Sequence, residues 1–146
     1  MIAIDKKGWI ATASHTHQGP TLIYTFGEKD RGSPMDAVDG DVWTSWSTGV
    51  PQEPGQWFAV DLGAEQTFDT LVLENHWAIY DYPRSLAIHV SDDGQNWGDP
   101  IATVDGTPSE TTVDFPVQTA RHLKLEQTDQ STYWWSVFEL NLLRQQ

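Results

Sequence analysis

The chain has 146 residues, a formal net charge of -13 at pH 7 and no cysteine. Its length fits one domain with its own core, residues 1–146, and the absence of cysteine excludes disulfides and thiolate chemistry. The negative charge argues against nucleic acid and anionic membranes as partners, and no apolar run approaches the ~20 residues of a membrane span.

Short strands separated by turns account for most of the predicted elements. Alternating or continuous apolar runs bounded by Gly, Pro and Asp predict strands at 9–14, 21–26, 57–63, 68–74, 86–91, 101–104, 111–115, 122–126 and 137–143. No long stretch has a helical period, so the sequence predicts an all-β fold, an antiparallel β-sandwich. The segments 15–35, 75–84 and 127–136 are predicted loops, and long loops commonly carry binding sites.

An acidic segment lies between the second and third predicted strands. Asp39 and Asp41 flank Gly40, and Thr44 follows three residues later. Oxygen ligands at such short, irregular spacing suit a hard cation, although acidic surface turns have the same composition. No Glu stands where an EF-hand would require it. The residues alone leave both interpretations open.

Two groups of aromatic residues fall in the predicted loops. Trp77, Tyr80 and Tyr82 lie in a polar loop with no strand to pack against, where exposed rings could stack on a pyranose. The second group is Tyr133, Trp134 and Trp135. Neighbouring residues of a strand point to opposite faces, so we expect Trp135 to be buried and Trp134 exposed.

The other large aromatic residues are better explained as core. Trp57, Trp97 and Phe115 occupy strands or strand ends. Trp43 and Trp46 border the acidic segment, and we expect at least one of them to pack beneath it.

Several polar side chains in the loops could bind sugar hydroxyls. A neutral imidazole both donates and accepts hydrogen bonds, which makes His15, His17 and His76 candidates. Arg84 could bind a sugar oxygen, or it could pair with Asp81 or a neighbouring carbonyl.

Five ordered motifs carry a family resemblance across residues 9–143. They are Ala-Val-Asp-Gly-Asp-x-x-Thr-x-Trp (37–46), Gly-Gln-Trp-Phe-Ala-Val-Asp-Leu-Gly (55–63), Val-Ser-Asp-Asp-Gly-Gln-Asn-Trp (90–97), Ala-Arg-His-Leu-Lys-Leu (120–125) and Trp-Trp-Ser-Val-Phe-Glu-Leu (134–140). In this order they resemble the discoidin, or factor V/VIII type C, domain. The likeness is closest to the bacterial family 32 carbohydrate-binding modules.

This resemblance implies a jelly-roll sandwich with a structural Ca²⁺. The implied ligands would tie the acidic segment to the last strand, and all of them are oxygens, as Ca²⁺ requires. They are the Asp36 carbonyl, the Asp39 and Asp41 carboxylates, the Thr44 hydroxyl, the Phe138 carbonyl and the Glu139 carboxylate.

The resemblance also implies a non-catalytic module that tethers a secreted bacterial enzyme to a polysaccharide or oligosaccharide. No catalytic motif is present in the sequence, so we expect no enzymatic activity. The candidate sugar-binding residues are His15, His17, Glu28, Glu74, His76, Trp77, Tyr80, Asp81, Arg84 and Trp134.

Two ligand classes fit the sequence. The net charge and the loop carboxylates Glu28, Glu74, Asp81 and Asp129 favour a cationic glycan, chitosan or glucosamine oligomers. The competing ligand is a neutral glucan or galactoside, although segment 75–80, Asn-His-Trp-Ala-Ile-Tyr, departs from the pattern of the galactose-binding members, which typically place an Arg and an Asn there. The alternative function is an adhesion module that recognises a protein or a cell-surface glycoconjugate.

Overall fold

The computed structural model describes residues 1–17 and 32–145. Nine strands and one 3-10 turn form within these residues. They are β1 (Ile2–Ala3), β2 (Ile10–Ala13), the turn Pro34–Ala37, β3 (Trp46–Gln52), β4 (Trp57–Glu74), β5 (Ser85–Ser91), β6 (Ala102–Asp105), β7 (Glu110–Gln127), β8 (Ser131–Val137) and β9 (Glu139–Arg144).

All strand pairs in the described residues are antiparallel, which confirms the predicted fold class. The larger sheet has the order β1-β9-β4-β7-β5-β6, with β2 also paired to β4, and β3 pairs with β8 in a second sheet. No helix in the described part of the chain has the length and hydropathy of a membrane span.

Strands β4 and β7 are each longer than predicted. The sequence predicts two strands in each region, whereas the structure has one 18-residue strand in both. Their pairing register shifts between Asp61 and Gln66 and again between Phe68 and Thr70. Such irregularities increase the local bend and twist. The sheet therefore curls, with β2 and β5 paired to one half of this ribbon and β9 to the other.

Strand β3 was not predicted, and β8 lies in a region predicted as loop. Gly49 and Pro51 interrupt the apolar pattern of β3, and proline is tolerated in sheets mainly on edge strands. The predicted strand 137–143 is divided, because β8 ends at Val137 and β9 begins at Glu139. The predicted strand 21–26 lies outside the described residues.

The core includes two fully buried tryptophans, Trp46 and Trp135. Their rings meet edge to face with centroids 5.0 Å apart, and Trp46 also packs on Phe58 at 4.9 Å. Trp135 is therefore buried as predicted, and Trp46 is the tryptophan that packs inside next to the acidic segment.

Phe115 is buried as predicted, but the core assignment of two other aromatic residues was wrong. Trp57 and Trp97 are only half-buried. Trp57 precedes the fully buried Phe58 on β4, so strand alternation turns its side chain to the outer face of the sheet.

Candidate functional site: loop 75–84 and strand β8

Loop 75–84 lies alongside β8 and is fixed to it by polar contacts. The Asn75 side chain is fully buried and donates to the Ser136 carbonyl at 2.8 Å. Ser136 in turn donates its backbone N–H to the Asp81 carbonyl at 3.0 Å and its hydroxyl to Asp81 Oδ2 at 2.8 Å. These contacts hold both ends of the loop against one strand.

A buried glutamine on β3 joins the same loop to β8. Gln52 Nε2 donates to the Tyr82 carbonyl at 2.9 Å and to the Trp134 carbonyl at 3.1 Å. Its Oε1 accepts from the Arg84 backbone N–H at 3.0 Å and from Gln127 Nε2 at 2.7 Å. The Gln52 side chain is buried and makes all four hydrogen bonds, so this amide fixes the spacing between the loop and the strand.

Three tyrosines and one arginine form what we call the tyrosine cluster: Tyr80, Tyr82, Arg84 and Tyr133. The Tyr80 and Tyr133 rings stack with centroids 5.3 Å apart and an interplanar angle of 17°. The Arg84 guanidinium carbon lies 3.7 Å from the Tyr82 ring centroid and 5.7 Å from that of Tyr133. Its nitrogens donate to the carbonyls of Tyr82 and Tyr80 at 2.8 and 3.1 Å.

Arg84 therefore adopts one of the two structural roles that the sequence left open. It binds neighbouring carbonyls, while the Asp81 carboxylate accepts from Ser136. The guanidinium restrains the loop backbone and also contributes a cation to the surface beside the rings.

Trp134 and His17 are brought together next to this cluster. Their ring centroids are 4.7 Å apart, and the His17 backbone N–H is bound to the Ser47 carbonyl at 2.8 Å. Trp134 is 37% exposed, whereas its neighbour Trp135 is fully buried. Trp134 is thus exposed as predicted.

A second aromatic group, the tryptophan cluster, consists of Trp43, His76, Trp77 and Phe138. Trp77 lies 5.3 Å from Trp43, 5.7 Å from His76 and 5.0 Å from Phe138 between ring centroids. Trp43 is 75% and Trp77 59% exposed. His76 has a φ of 47°, a left-handed conformation that is uncommon for non-glycine residues, and its Nε2 is buried without a hydrogen-bond partner.

Two other predicted sugar-binding residues, His15 and Glu74, have polar partners within the chain. His15 Nδ1 contacts the Ser14 hydroxyl at 3.0 Å. Glu74 lies on β4, where its Oε2 accepts from Asn141 at 3.3 Å, directly across from Glu139 on β9. Glu28 lies outside the described residues.

The acidic segment forms an oxygen cluster around the Thr44 hydroxyl. Thr44 Oγ1 lies 2.5 Å from Asp39 Oδ2 and 3.2 Å from the carbonyl oxygens of both Asp36 and Asp41. The Asp41 carboxylate turns toward the Trp43 backbone N–H, at 2.8 Å. Three acceptors therefore surround one hydroxyl, which has a single proton to donate.

Glu139 adds a buried carboxylate to this oxygen cluster. Its Oε1 accepts from the Gly40 backbone N–H at 2.8 Å, and its Oε2 forms an ion pair with Lys6. Burial raises the pKa of Glu139 to about 7, with a further upward contribution from Asp39 and opposing contributions from Lys6 and Gly40. The carboxylate at the start of β9 thus lies against the acidic segment.

The donor chemistry of the oxygen cluster fits Ca²⁺, which accepts carbonyl, hydroxyl and carboxylate oxygens together. Within residues 1–17 and 32–145, no three acidic or histidine side chains converge into a metal-binding group. The cluster would therefore depend on backbone carbonyls and Thr44 as much as on carboxylates.

Several residues that build this site were not predicted. Gln127 and Ser136 are polar residues in the predicted loop 127–136, and Gln52 lies where no strand is predicted; all three are buried, on β7, β8 and β3 respectively. The signal in the sequence was weak, because only the alternate residues Trp46, Thr48 and Gln52 face inward on β3. Lys6 had no signal at all, since its partner Glu139 is 133 residues away.

Comparison with known proteins identifies the family. Residues 10–140 match the F5/8 type C domain, and the chain belongs to that family. No curated protein matches the sequence.

Similar solved structures extend over nearly the whole chain. Chitosan-binding module 1 of a chitosanase/glucanase from Paenibacillus sp. IK-5 is 26% identical, with a TM-score of 0.72, covering 91% of this chain and 92% of that one. The Clostridium perfringens module CpGH89CBM32-5, solved with GalNAc-β-1,3-galactose, is 25% identical, with a TM-score of 0.76 and coverage of 97% and 99%. A family 32 module from C. perfringens NanJ, in complex with galactose, is 19% identical at a TM-score of 0.67, covers 97% of each chain, and shows the fold alone. The resemblance to discoidin-like domains and family 32 modules is thereby confirmed.

Proposed function

We propose that this domain is a non-catalytic carbohydrate-binding module whose binding surface is formed by loop 75–84, β8 and His17. The rings of Trp77, Tyr80, Tyr133 and Trp134 would contact the sugar. Polar groups beside them, including Asp81 and Arg84, would bind hydroxyl or amino substituents.

One observation carries this proposal: the rings are exposed although their backbones are firmly held. Tyr80 is 61% exposed and stacks on Tyr133, while Gln52 fixes the backbones on either side of the pair. Exposed apolar surface is costly in water, and a rigid aromatic side chain loses little entropy when it stacks on a pyranose. A held, exposed ring surface is therefore suited to binding a sugar face.

The relatives support a binding role. Of the relatives described above that are at least 25% identical, one is named for chitosan and the other was solved with GalNAc-β-1,3-galactose. For this chain we favour a glucosamine oligomer over a neutral galactoside, because the net charge of -13 would attract a polycation. The neutral glycan is the competing ligand.

Paired ligands separate these two possibilities. Chitotriose carries ammonium groups, whereas its fully N-acetylated counterpart has the same rings without charge. We expect chitotriose to bind more tightly, with an affinity of about 10 µM to 1 mM that weakens as NaCl is raised from low to high concentration. Equal affinity for both trimers, unaffected by salt, would instead identify a neutral ligand.

Substitutions on the ring surface test the location of the site. Trp134→Ala and Tyr133→Ala should each weaken binding about tenfold or more, because stacking area is lost. Val117→Ala removes another exposed apolar side chain, on β7, and serves as the matched control. Binding that survives both aromatic substitutions, in variants with unchanged melting temperatures, would place the site elsewhere. Binding to proteins but to no glycan on an array would support the adhesion alternative.

We further propose that the oxygen cluster holds a structural Ca²⁺. The crowding of acceptors around Thr44 and the burial of Glu139 support it. The ligands would be the Asp36 and Asp41 carbonyls, the Asp39 and Glu139 carboxylates and the Thr44 hydroxyl, with the Phe138 carbonyl and Asp41 carboxylate available from the same segments. When bound, the ion would neutralise these oxygens and cross-link the acidic segment to β9.

In its natural setting the module would act outside the cell, as part of a secreted bacterial enzyme that degrades polysaccharide. Binding would keep the attached catalytic domain near its substrate and raise the effective concentration there. Weak affinity is sufficient for this purpose, because the tether makes repeated binding intramolecular.

A further inference from the structure

A groove lies on the outer face of the larger sheet, between β2 and the turn at 91–98. Its volume is about 230 Å³. An adjoining groove of about 350 Å³ shares Thr12, Ala59, Gly94 and Trp97 with it and continues past Asp61 and His122. The residues that line the first part are Thr12, Trp57, Ala59, Gly94, Trp97 and Lys124. None of them belongs to the surface formed by loop 75–84 and β8.

The groove results from the alternation of large and small side chains on one sheet face. Trp57 and Ala59 both point outward on β4, and Lys124 on β7 is the direct cross-strand partner of Ala59. The small alanine leaves a depression between the two indoles. A volume of this size lies below the range typical of drug-sized ligands and suits one sugar ring of a longer chain.

The turn at 91–98 forms one wall of this groove and is held by internal hydrogen bonds. Asp93 accepts hydrogen bonds from the backbone N–H groups of Gln95 and Asn96, both at 2.9 Å, and from Ser91. A Cβ on Gly94 would lie 3.0 Å from the His122 imidazole, so the turn is packed directly on the sheet. Trp97 meets His122 edge to face at 6.4 Å.

The charges lining the groove are not equally compensated. Asp61 is paired with Arg121 through bonds of 2.8 and 3.2 Å, and Asp93 is occupied by its own turn. The Lys124 ammonium lies 4.9 Å from the Trp97 ring centroid, and no carboxylate in the described residues forms an ion pair with it. In a chain of net charge -13, the groove thus presents a cation that has no ion-pair partner among residues 1–17 and 32–145.

We propose that this groove binds a carboxylate-bearing pyranose, one uronic acid unit of an acidic glycan. The apolar face of the ring would pack between the indoles of Trp57 and Trp97, and the carboxylate would accept a hydrogen bond from the Lys124 ammonium. The module would then contact acidic glycan on its sheet face independently of the ring surface at loop 75–84.

The first test compares galacturonic acid with galactose, two pyranoses that differ at C6 in a carboxylate or a hydroxymethyl group. Titration of the full chain by heteronuclear NMR should shift the indole N–H resonances of Trp57 and Trp97 with galacturonate. Galactose should shift them at least about tenfold more weakly, because the charged hydrogen bond is lost. Equal shifts with both sugars, no shift of either indole, or shifts confined to loop 75–84 would overturn the proposal.

Surface substitutions provide the second test with little risk to folding. Lys124→Gln should weaken galacturonate binding about tenfold, whereas Lys124→Arg keeps the charge and should retain most of it. Trp134→Ala should leave the Trp57 and Trp97 shifts unchanged. If Trp134→Ala abolishes them, or Lys124→Gln leaves them intact, the groove is not the uronate site. Loss of chitotriose binding in Trp134→Ala tests the other surface, so the two sites fail separately.

Discussion

Trp134 and Trp135 are adjacent in the sequence but belong to two different regions of the molecule. Trp135 lies in the interior with Trp46 and Phe58, where its ring has no exposed surface. Trp134 lies on the outside with His17, beside the stacked pair Tyr80 and Tyr133. The same residue type therefore serves packing at one position and presents binding surface at the next.

The difference shows that position along β8, and not composition, separates the two roles, because residues 132–134 are exposed and residues 135–137 are buried. In a strand, successive side chains point to opposite faces, so two neighbouring tryptophans can be one inside and one outside. The interior rings hold β3 against β8, and the exterior rings depend on that pairing for their positions. Breaking either region alone should therefore give distinct results.

Removing an interior ring should have the largest effect. Trp135→Ala leaves a large cavity against Trp46 and should lower the free energy of unfolding by about 3–5 kcal/mol. Trp134→Ala should lower it by less than about 1 kcal/mol while weakening sugar binding about tenfold or more. Chemical denaturation of both variants measures the contrast. Comparable destabilisation by the two substitutions would contradict the division into interior and binding regions.

Removing the proposed Ca²⁺ from the oxygen cluster should have the next largest effect on stability. An ion present at about 100 times its dissociation constant stabilises the native state by ~2.7 kcal/mol. For a domain of this size, chelation should then lower the melting temperature by about 5–10 °C. Thr44→Val has nearly the same shape and should abolish the calcium-dependent part of that shift. A melting curve that is unchanged by chelator would contradict the proposal that the cluster binds Ca²⁺.

Removing the buried amide of Gln52 should have an intermediate effect, and it should reduce both the stability of the domain and its affinity for sugar. Gln52→Ala leaves the Tyr82 and Trp134 carbonyls and Gln127 Nε2 without this partner, at an expected cost of about 2 kcal/mol. Because Gln52 joins loop 75–84 to β8, sugar affinity should fall as well.

Gln56→Ala is the matched control for Gln52→Ala. Gln56 is also buried, but in the described part of the chain its side chain makes one hydrogen bond, to the Pro51 carbonyl at 2.9 Å. Gln56→Ala should therefore lower the free energy of unfolding by less than Gln52→Ala does, and it should leave sugar binding intact. A Gln52→Ala variant that binds sugar normally would show that the loop holds its position without the amide.

The sequence predicted the fold class because its apolar residues alternate clearly in the strands that form the core. The strand predicted at 86–91 coincides closely with β5 (Ser85–Ser91). Strand β3 escaped prediction because Pro51 and Gly49 interrupt its pattern. The continuity of β4 and β7 escaped it because bulges permit a long strand to pass through residues that look like turns.

The aromatic residues of the candidate site were predictable from the sequence, but the buried polar residues that hold the loop in place were not. Trp77 and Tyr80 stood out as apolar side chains in a polar loop. Gln52 and Gln127 gave no such signal, since a polar residue becomes buried only when distant strands pair around it. The groove at Trp57 and Trp97 was missed for a related reason: a large aromatic residue in a strand is assigned to the core unless the face it occupies is known.

The smallest expected effect concerns Asp93, which orders the turn beside the outer groove. Hydrogen bonds from the backbone of Asn96 and Gln95, and then from the Asn96 and Ser91 side chains, hold the pKa of Asp93 well below its usual value. A carboxyl whose pKa is depressed in the folded state contributes stability above its unfolded pKa of about 3.8, and this contribution is lost as pH falls toward the folded value. Asp93→Asn should therefore lower the melting temperature slightly at pH 6, and the difference from the unsubstituted protein should shrink at pH 3. Asp92→Asn removes the same charge one residue away without removing any of these hydrogen bonds, and serves as the charge control. If the two variants behave alike, general charge reduction accounts for the change, and the hydrogen bonds of Asp93 do not stabilise the turn that forms one wall of the groove.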